Sequence, residues 1–197
     1  MHFFVCGCGA LGSQIALHIA LQNDHFYLID DDRVGLENVG NGTSLYHSSH
    51  VDKYKAVVLA EMLYRRAWAY ATPDTTTFDA ARRRIIEEAH KNILNDRLLV
   101  IDAFDNAEAR RETMNLAVPT LHVGVSANGT GAVLWGEQYI LQPNAPARGQ
   151  RQVCTHALGR QILRFTAAVA AGIIDHFRDT GDWRAAVVNQ RMEAVWL

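Results

Sequence analysis

The sequence predicts an α/β protein: a mainly parallel sheet covered by helices, with a C-terminal antiparallel portion. Three observations carry this. Apolar runs alternate with amphipathic stretches along most of the chain, the order that builds a parallel sheet. The run "RLLVIDAFD" is continuously apolar up to its acids, as a strand buried on both faces must be. Near Asn128 the alternation breaks, and "GTGAVLWGEQYIL" reads instead as an antiparallel pair.

The elements follow in order. "FFVC" is a first strand, and "LGSQIALHIALQ" a helix with Leu11, Ile15 and Ile19 on one face. "HFYLIDDD" is a second strand ending in three acids. "DKYKAVVLAEMLYRRAWAY" is a helix with Ala56, Leu59, Leu63 and Ala67 at helical spacing, and "TTTF" a short third strand. "AARRRIIEEAHKNIL" is a helix whose charges form a solvated face. "RLLVIDAFD", "NAEARRETMNLA" and "TLHVGVS" then read as strand, helix and strand. A polar loop, "QPNAPARGQRQ", leads into the long apolar helix "ALGRQILRFTAAVAAGIIDHF", and "WRAAVVNQRMEAVWL" holds a final strand. With no repeat or linker, the expectation is one domain over residues 1–197, with a βαβ core at 1–127 and the antiparallel and helical portion at 128–197.

Bulk properties narrow the function classes. A chain of 197 residues is long enough to bury a sizeable core. A formal net charge of -2 supplies no electrostatic reason to bind nucleic acid or an anionic membrane. The longest apolar run, "FTAAVAAGII", is too short to span a bilayer, and "MHFFV" lacks the features of a signal peptide. The three cysteines, Cys6, Cys8 and Cys154, form no disulfide framework, so a reducing cytoplasm is expected. Strand alternation would point Cys6 and Cys8 to the same side, where packing is their role.

The motif with chemical content is Gly7-x-Gly9-x-x-Gly12, set between the first strand and the first helix. Gly7 and Gly9 permit tight curvature, and Gly12 lets the helix pack close to the strand. The helix N-terminus then presents N–H groups and its positive dipole end to phosphate. Asp30 ends the second strand about 20 residues on, where an acid accepts ribose hydroxyls. This much fits NAD and ATP equally.

The residues that follow discriminate. "LIDDDRVGLENVGNG" places Asp30-x-Asp32 ahead of Asn38, and Lys55 begins the next helix. "LLVIDAFDNAEAR" then ends in Asp102 and Asp105-Asn106, with Arg110 beyond. These four ordered elements resemble the ThiF/MoeB/ubiquitin-activating family of adenylating proteins. Its patterns read roughly G-x-G-x-x-G-S, D-x-D-x-V-x-x-x-N-L, a G-x-x-K helix start and D-x-x-D-N-x-x-x-R.

The resemblance implies a Rossmann-like fold and attack on the α-phosphate of ATP by a C-terminal carboxylate, giving an acyl-adenylate and pyrophosphate. The partner would be a small ubiquitin-like or sulfur-carrier protein, or a peptide, and the protein a homodimer. It further implies that Gly7, Gly9, Gly12, Asp30, Asp32, Asn38, Lys55 and Asn106 surround the nucleotide. Asp30 would hold the ribose, Asn38 and Lys55 the phosphates, and Asp105 the magnesium ion; a cap on the helix beginning at Asn106 is the plainer role for Asp105. Cys154 sits where ThiF-like members carry a cysteine able to form a thioester or persulfide link; a junction residue before the long helix is the alternative.

Against the family pattern this is a short form. Asn41 stands where the pattern has a phosphate-binding arginine, with Arg33, Arg65 or a partner subunit's arginine as candidate replacements. No C-x-x-C pair is present, so no zinc is expected. Two other classes stay open at this stage: a non-catalytic scaffold that pairs with an active paralogue, motivated by Asn41, and an NAD(P)-dependent oxidoreductase, motivated by the glycine turn and Asp30 alone.

Overall fold

The computed structural model describes residues 1–40, 44–92, 98–126, 129–141 and 157–197. Asn41, Arg151, Cys154 and His156 therefore lie outside the described residues.

Strands β1 (His2–Cys6), β2 (His25–Ile29), β3 (Tyr70–Asp74), β4 (Leu98–Asp102) and β5 (Thr120–Val125) form the parallel half of one sheet. Strands β6 (Gly131–Trp135), β7 (Ala186–Val188) and β8 (Ala194–Trp196) extend it by antiparallel pairing. The sheet order is β3-β2-β1-β4-β5-β6-β7-β8. The expected parallel core with an antiparallel continuation is what the chain adopts.

Strand alternation sorts the core into two faces. Phe3, Val5, Phe26, Leu28, Leu99 and Ile101 pack in one cluster with apolar residues of helices α1 (Ala10–Ile19), α2 (Lys55–Ala67) and α5 (Ala157–Thr180). Phe4, Cys6, Ile29 and Val100 pack on the opposite face with Ala81 and Ile85 of α3 (Phe78–Asn92). The apolar stretch 165–174 of α5 is core: Ala167, Ala170, Ala171, Ile173 and Ile174 are buried in the first cluster. Among the described residues no helix is long and apolar enough to cross a membrane.

Four local readings are corrected. Helix α2 stops at Ala67, because Trp68 turns into the left-handed region at φ 53° with its N–H on the Tyr64 carbonyl. The third strand is therefore Tyr70–Asp74, whereas "TTTF" forms the turn and start of α3, with Thr76 N–H donating to Asp74 Oδ1 at 3.1 Å. Pro73 is tolerated because β3 is an edge strand. The "GTGAVLWGEQYIL" segment supplies one strand, β6, whose antiparallel partners are β5 and β7; the chain then turns at Gly136–Gln138. The tail forms two short strands, a β7–β8 pair, in place of one.

The fourth correction concerns Cys6 and Cys8. They belong to opposite faces, because Gly7 at φ +92° breaks the strand alternation between them. Both thiols are free and buried, and burial pushes both well up; Asp102 adds to the effect at Cys6 and Asp30 at Cys8. Packing remains their role.

Candidate functional site

The glycine turn is shaped by steric demands that differ at each glycine. A Cβ on Gly7 would lie 2.9 Å from the Ala103 carbonyl oxygen, and its φ of +92° suits glycine alone. A Cβ on Gly12 would lie 2.0 Å from the Gly7 carbonyl oxygen, so α1 can approach β1 only without a side chain there. Gly9 differs: its φ is ordinary at -69°, and a Cβ would meet nothing within 4 Å. Gly9 therefore borders an open cradle at the N-terminus of α1, the end that presents N–H groups.

Asp30 closes one side of that cradle. Its Oδ2 accepts the Cys8 N–H at 2.6 Å and its Oδ1 the Asp32 N–H at 2.9 Å. Burial pushes its pKa above the usual carboxylate range, against the opposing pull of Lys55 and the two N–H donors. Tyr46 braces the same turn: its hydroxyl donates to the Cys8 carbonyl and lies 3.4 Å from the Lys55 carbonyl. Burial, reinforced by Cys8 and Asp30, pushes the Tyr46 phenol up, which keeps the donor in place.

Lys55, the first residue of α2, donates its backbone N–H to the Asp32 carbonyl at 2.9 Å and its Nζ to Asp32 Oδ2 at 2.7 Å. Burial lowers its pKa, but the Asp32 hydrogen bond and the charges of Asp30, Asp32 and Asp105 outweigh it, and the net shift is upward. The carboxylates of Asp30, Asp31 and Asp32 come within 4.8 Å of one another, with Asp31 and Asp32 exposed. Lys55 supplies the neighbouring positive charge.

At the end of β4, Asn106 caps α4 (Ala107–Met114) by accepting the Ala109 N–H at 2.8 Å. The capping role considered for Asp105 thus falls to Asn106. The Asp105 side chain is exposed and makes no hydrogen bond or ion pair among the described residues, a donor suited to a hard cation. Asn38 stands apart. It closes the 3-10 turn Leu36–Asn38, its Oδ1 taking the Gly35 N–H at 2.9 Å, and no described hydrogen bond joins it to Lys55 or Asp30.

Of the two arginines considered as replacements at Asn41, Arg65 lies near the far end of α2 from Lys55, about 15 Å along the helix at 1.5 Å per residue. Arg33 donates to the Asp52 carbonyl at 2.5 Å and stacks on the Tyr54 ring at 3.9 Å, beside the start of α2. Asp52, three residues before Lys55, holds φ 67°, a left-handed conformation that glycine adopts without strain.

Tyr46 and the buried groups around Asp102 were not singled out for a role from the sequence. Asp102 is fully buried at the end of β4 and touches Thr113, His122 and the Phe104 backbone. Only the β4–β5 register sets Asp102 beside His122.

A parallel sheet with a glycine turn after its first strand, and an acid ending the second, defines a Rossmann-like nucleotide-binding architecture. The chain belongs to the ThiF family, whose model matches residues 1–175. Among solved structures it resembles E. coli MccB with ATP at a TM-score of 0.68 and 13% identity, covering 100% of this chain and 63% of MccB. MccB with AMPCPP and selenomethionyl MccA gives a TM-score of 0.65 at 12% identity, over 100% of this chain and 63% of that one. Selenomethionyl PaaA gives 0.62 at 17% identity, over 100% and 72%. The chain thus spans less than two thirds of the length of MccB. No curated protein matches the sequence.

Proposed function

We propose that this chain is an ATP-dependent adenylyltransferase acting on the C-terminal carboxylate of a peptide or of a small ubiquitin-like or sulfur-carrier protein. The observation that carries the reading is the meeting of Lys55, the open face of Gly9 and the unengaged Asp105 at the carboxyl ends of the parallel strands. Ligands of open α/β sheets bind at that end.

A carboxylate oxygen attacks the α-phosphorus, the bond from that phosphorus to the bridging oxygen breaks, and pyrophosphate leaves. No proton moves, so the chain's work is positioning and charge neutralisation. Lys55 supplies a point charge to the phosphates. Asp30, with two lone-pair sites already filled by N–H groups, offers the rest to ribose hydroxyls. Asn38 offers its amide N–H2 group from the 3-10 turn. Asp105 would hold magnesium, which offsets phosphate charge when bound. A homodimer in a reducing cytoplasm belongs to the same reading, in keeping with the free thiols of Cys6 and Cys8.

The test titrates the protein with ATP–Mg and with NAD by calorimetry, then follows exchange of labelled pyrophosphate into ATP in the presence of the carboxylate partner. ATP–Mg binding, and exchange abolished in Asp105→Ala, are the expected results. Binding of NAD in place of ATP overturns the reading. ATP binding with no exchange on a genuine partner replaces it with the non-catalytic scaffold.

A further inference from the structure

Asp105 sits on a loop whose backbone is clamped from beneath. The Phe104 N–H donates to Asp102 Oδ1 at 3.1 Å, and the Phe104 carbonyl accepts Arg110 Nε at 2.6 Å. Phe104, the residue before Asp105, is thus held through both its N–H and its carbonyl, one in each of two successive peptide units. Arg110 is in turn fixed by the Val123 carbonyl at 2.9 Å and the Tyr139 hydroxyl at 3.2 Å. Asp102 is fixed through its other oxygen: Oδ2 accepts from Thr113 Oγ1 at 2.9 Å and lies 2.7 Å from His122 Nδ1.

His122 is the unexpected member. Its ring is buried, stacked on Tyr139 with centroids 4.2 Å apart, and its Nε2 has no hydrogen-bond partner among the described residues. An unpaired buried nitrogen costs free energy, so packing alone would favour an apolar side chain at this position. What the histidine supplies is the Nδ1–H that Asp102 requires, and that requirement assigns the tautomer.

We infer that His122 is a positioning residue for cation binding at Asp105, acting through Asp102 and the Phe104 backbone. The inference rests on the proposed role of Asp105. Removing His122 leaves Asp102 Oδ2 with the Thr113 hydroxyl as its hydrogen-bond donor and the Arg110 guanidinium at 4.0 Å, too long for a hydrogen bond. The carboxyl then turns, and the 103–105 backbone loses one of its two clamps. Partners that orient metal ligands in this way are typically worth about 10- to 100-fold in metal affinity.

The experiment measures ATP affinity by calorimetry with Mg2+ and with EDTA, and takes the ratio as the gain due to the cation. His122→Ala and Thr113→Val are expected to cut that gain by about tenfold while metal-free ATP affinity holds. His122→Asn places an amide N–H2 at the Nδ1 position and retains most of the gain. His122→Gln places it at the Nε2 position and does not. If His122→Ala fails to fold, the comparison of Thr113→Val, His122→Asn and His122→Gln carries the test. A folded His122→Ala or Thr113→Val with the wild-type gain overturns the inference, as does an equal loss in the Asn and Gln variants. A wild-type protein that gains nothing from Mg2+ is a different result: it removes the metal role of Asp105 itself.

Discussion

Lys55 Nζ and Asp32 Oδ2 lie 2.7 Å apart, joining the first residue of α2 to the segment that follows β2. The Lys55 side chain is 12% exposed and that of Asp32 70%, so the pair stands at the rim of the cradle. Half-solvated pairs contribute about 0.2–1 kcal/mol, too little to explain a buried lysine by stability alone. Lys55→Met should therefore leave the fold intact and weaken ATP binding. A hydrogen bond to a charged group is worth about 1.5–3 kcal/mol, which corresponds to roughly 10- to 150-fold in Kd. Calorimetric titration with ATP checks it.

The same lysine sets an alkaline signature. Its folded pKa is raised above the ordinary 10.5, so the stability it contributes is fully present below 10.5 and is lost as pH rises through the folded value. Urea unfolding followed upward from about pH 10 should show wild type losing stability faster than Lys55→Met. Parallel pH profiles for the two proteins would contradict this.

The glycines divide into structural and open positions. Gly12→Ala drives a methyl to 2.0 Å from the Gly7 carbonyl, and overpacking of this kind costs about 1–3 kcal/mol. Gly9→Ala meets nothing within 4 Å and has an ordinary φ, so its Tm should stay near wild type while ATP affinity falls. Differential scanning calorimetry beside a binding titration separates the two.

Tyr46→Phe removes the only side-chain donor described on the Cys8 carbonyl. Leaving a buried acceptor unpaired costs about 1–3 kcal/mol, read as a lower urea midpoint with an unchanged m value.

Asp52→Gly relieves a left-handed φ of 67°. Because Asp tolerates that region better than most residues, the expected gain is small, about 0.5–1 kcal/mol, and should appear as a raised Tm. A lowered Tm would mean that the Asp52 side chain itself contributes to the turn.

Much of the architecture was legible because it is written in local periodicity. The β1–α1 unit, the acid after β2, the helix start at Lys55 and the turn between β4 and α4 each depend on residues within a few positions of one another. Where the reading slipped, a nonlocal partner decided. Tyr70–Asp74 contains a proline and little apolar content, yet pairs with β2 because the sheet leaves that edge for it. The tail has strand-like residues throughout, but only the β6 edge and the β7–β8 pairing show where it folds back.

The sequence by itself determined the order of elements, the glycine turn after β1 and the choice of Asp30, Lys55 and Asp105 as candidates, since spacing and residue type suffice for those. Tertiary structure decided what those groups touch. Asp30 spends its carboxyl on an N–H 22 residues away, and Asp102 meets a histidine 20 residues away in the neighbouring strand. The physical reason is the strand order β3-β2-β1-β4-β5, which is not chain order. Side chains at the strand ends become neighbours only once helical crossovers have laid those strands side by side.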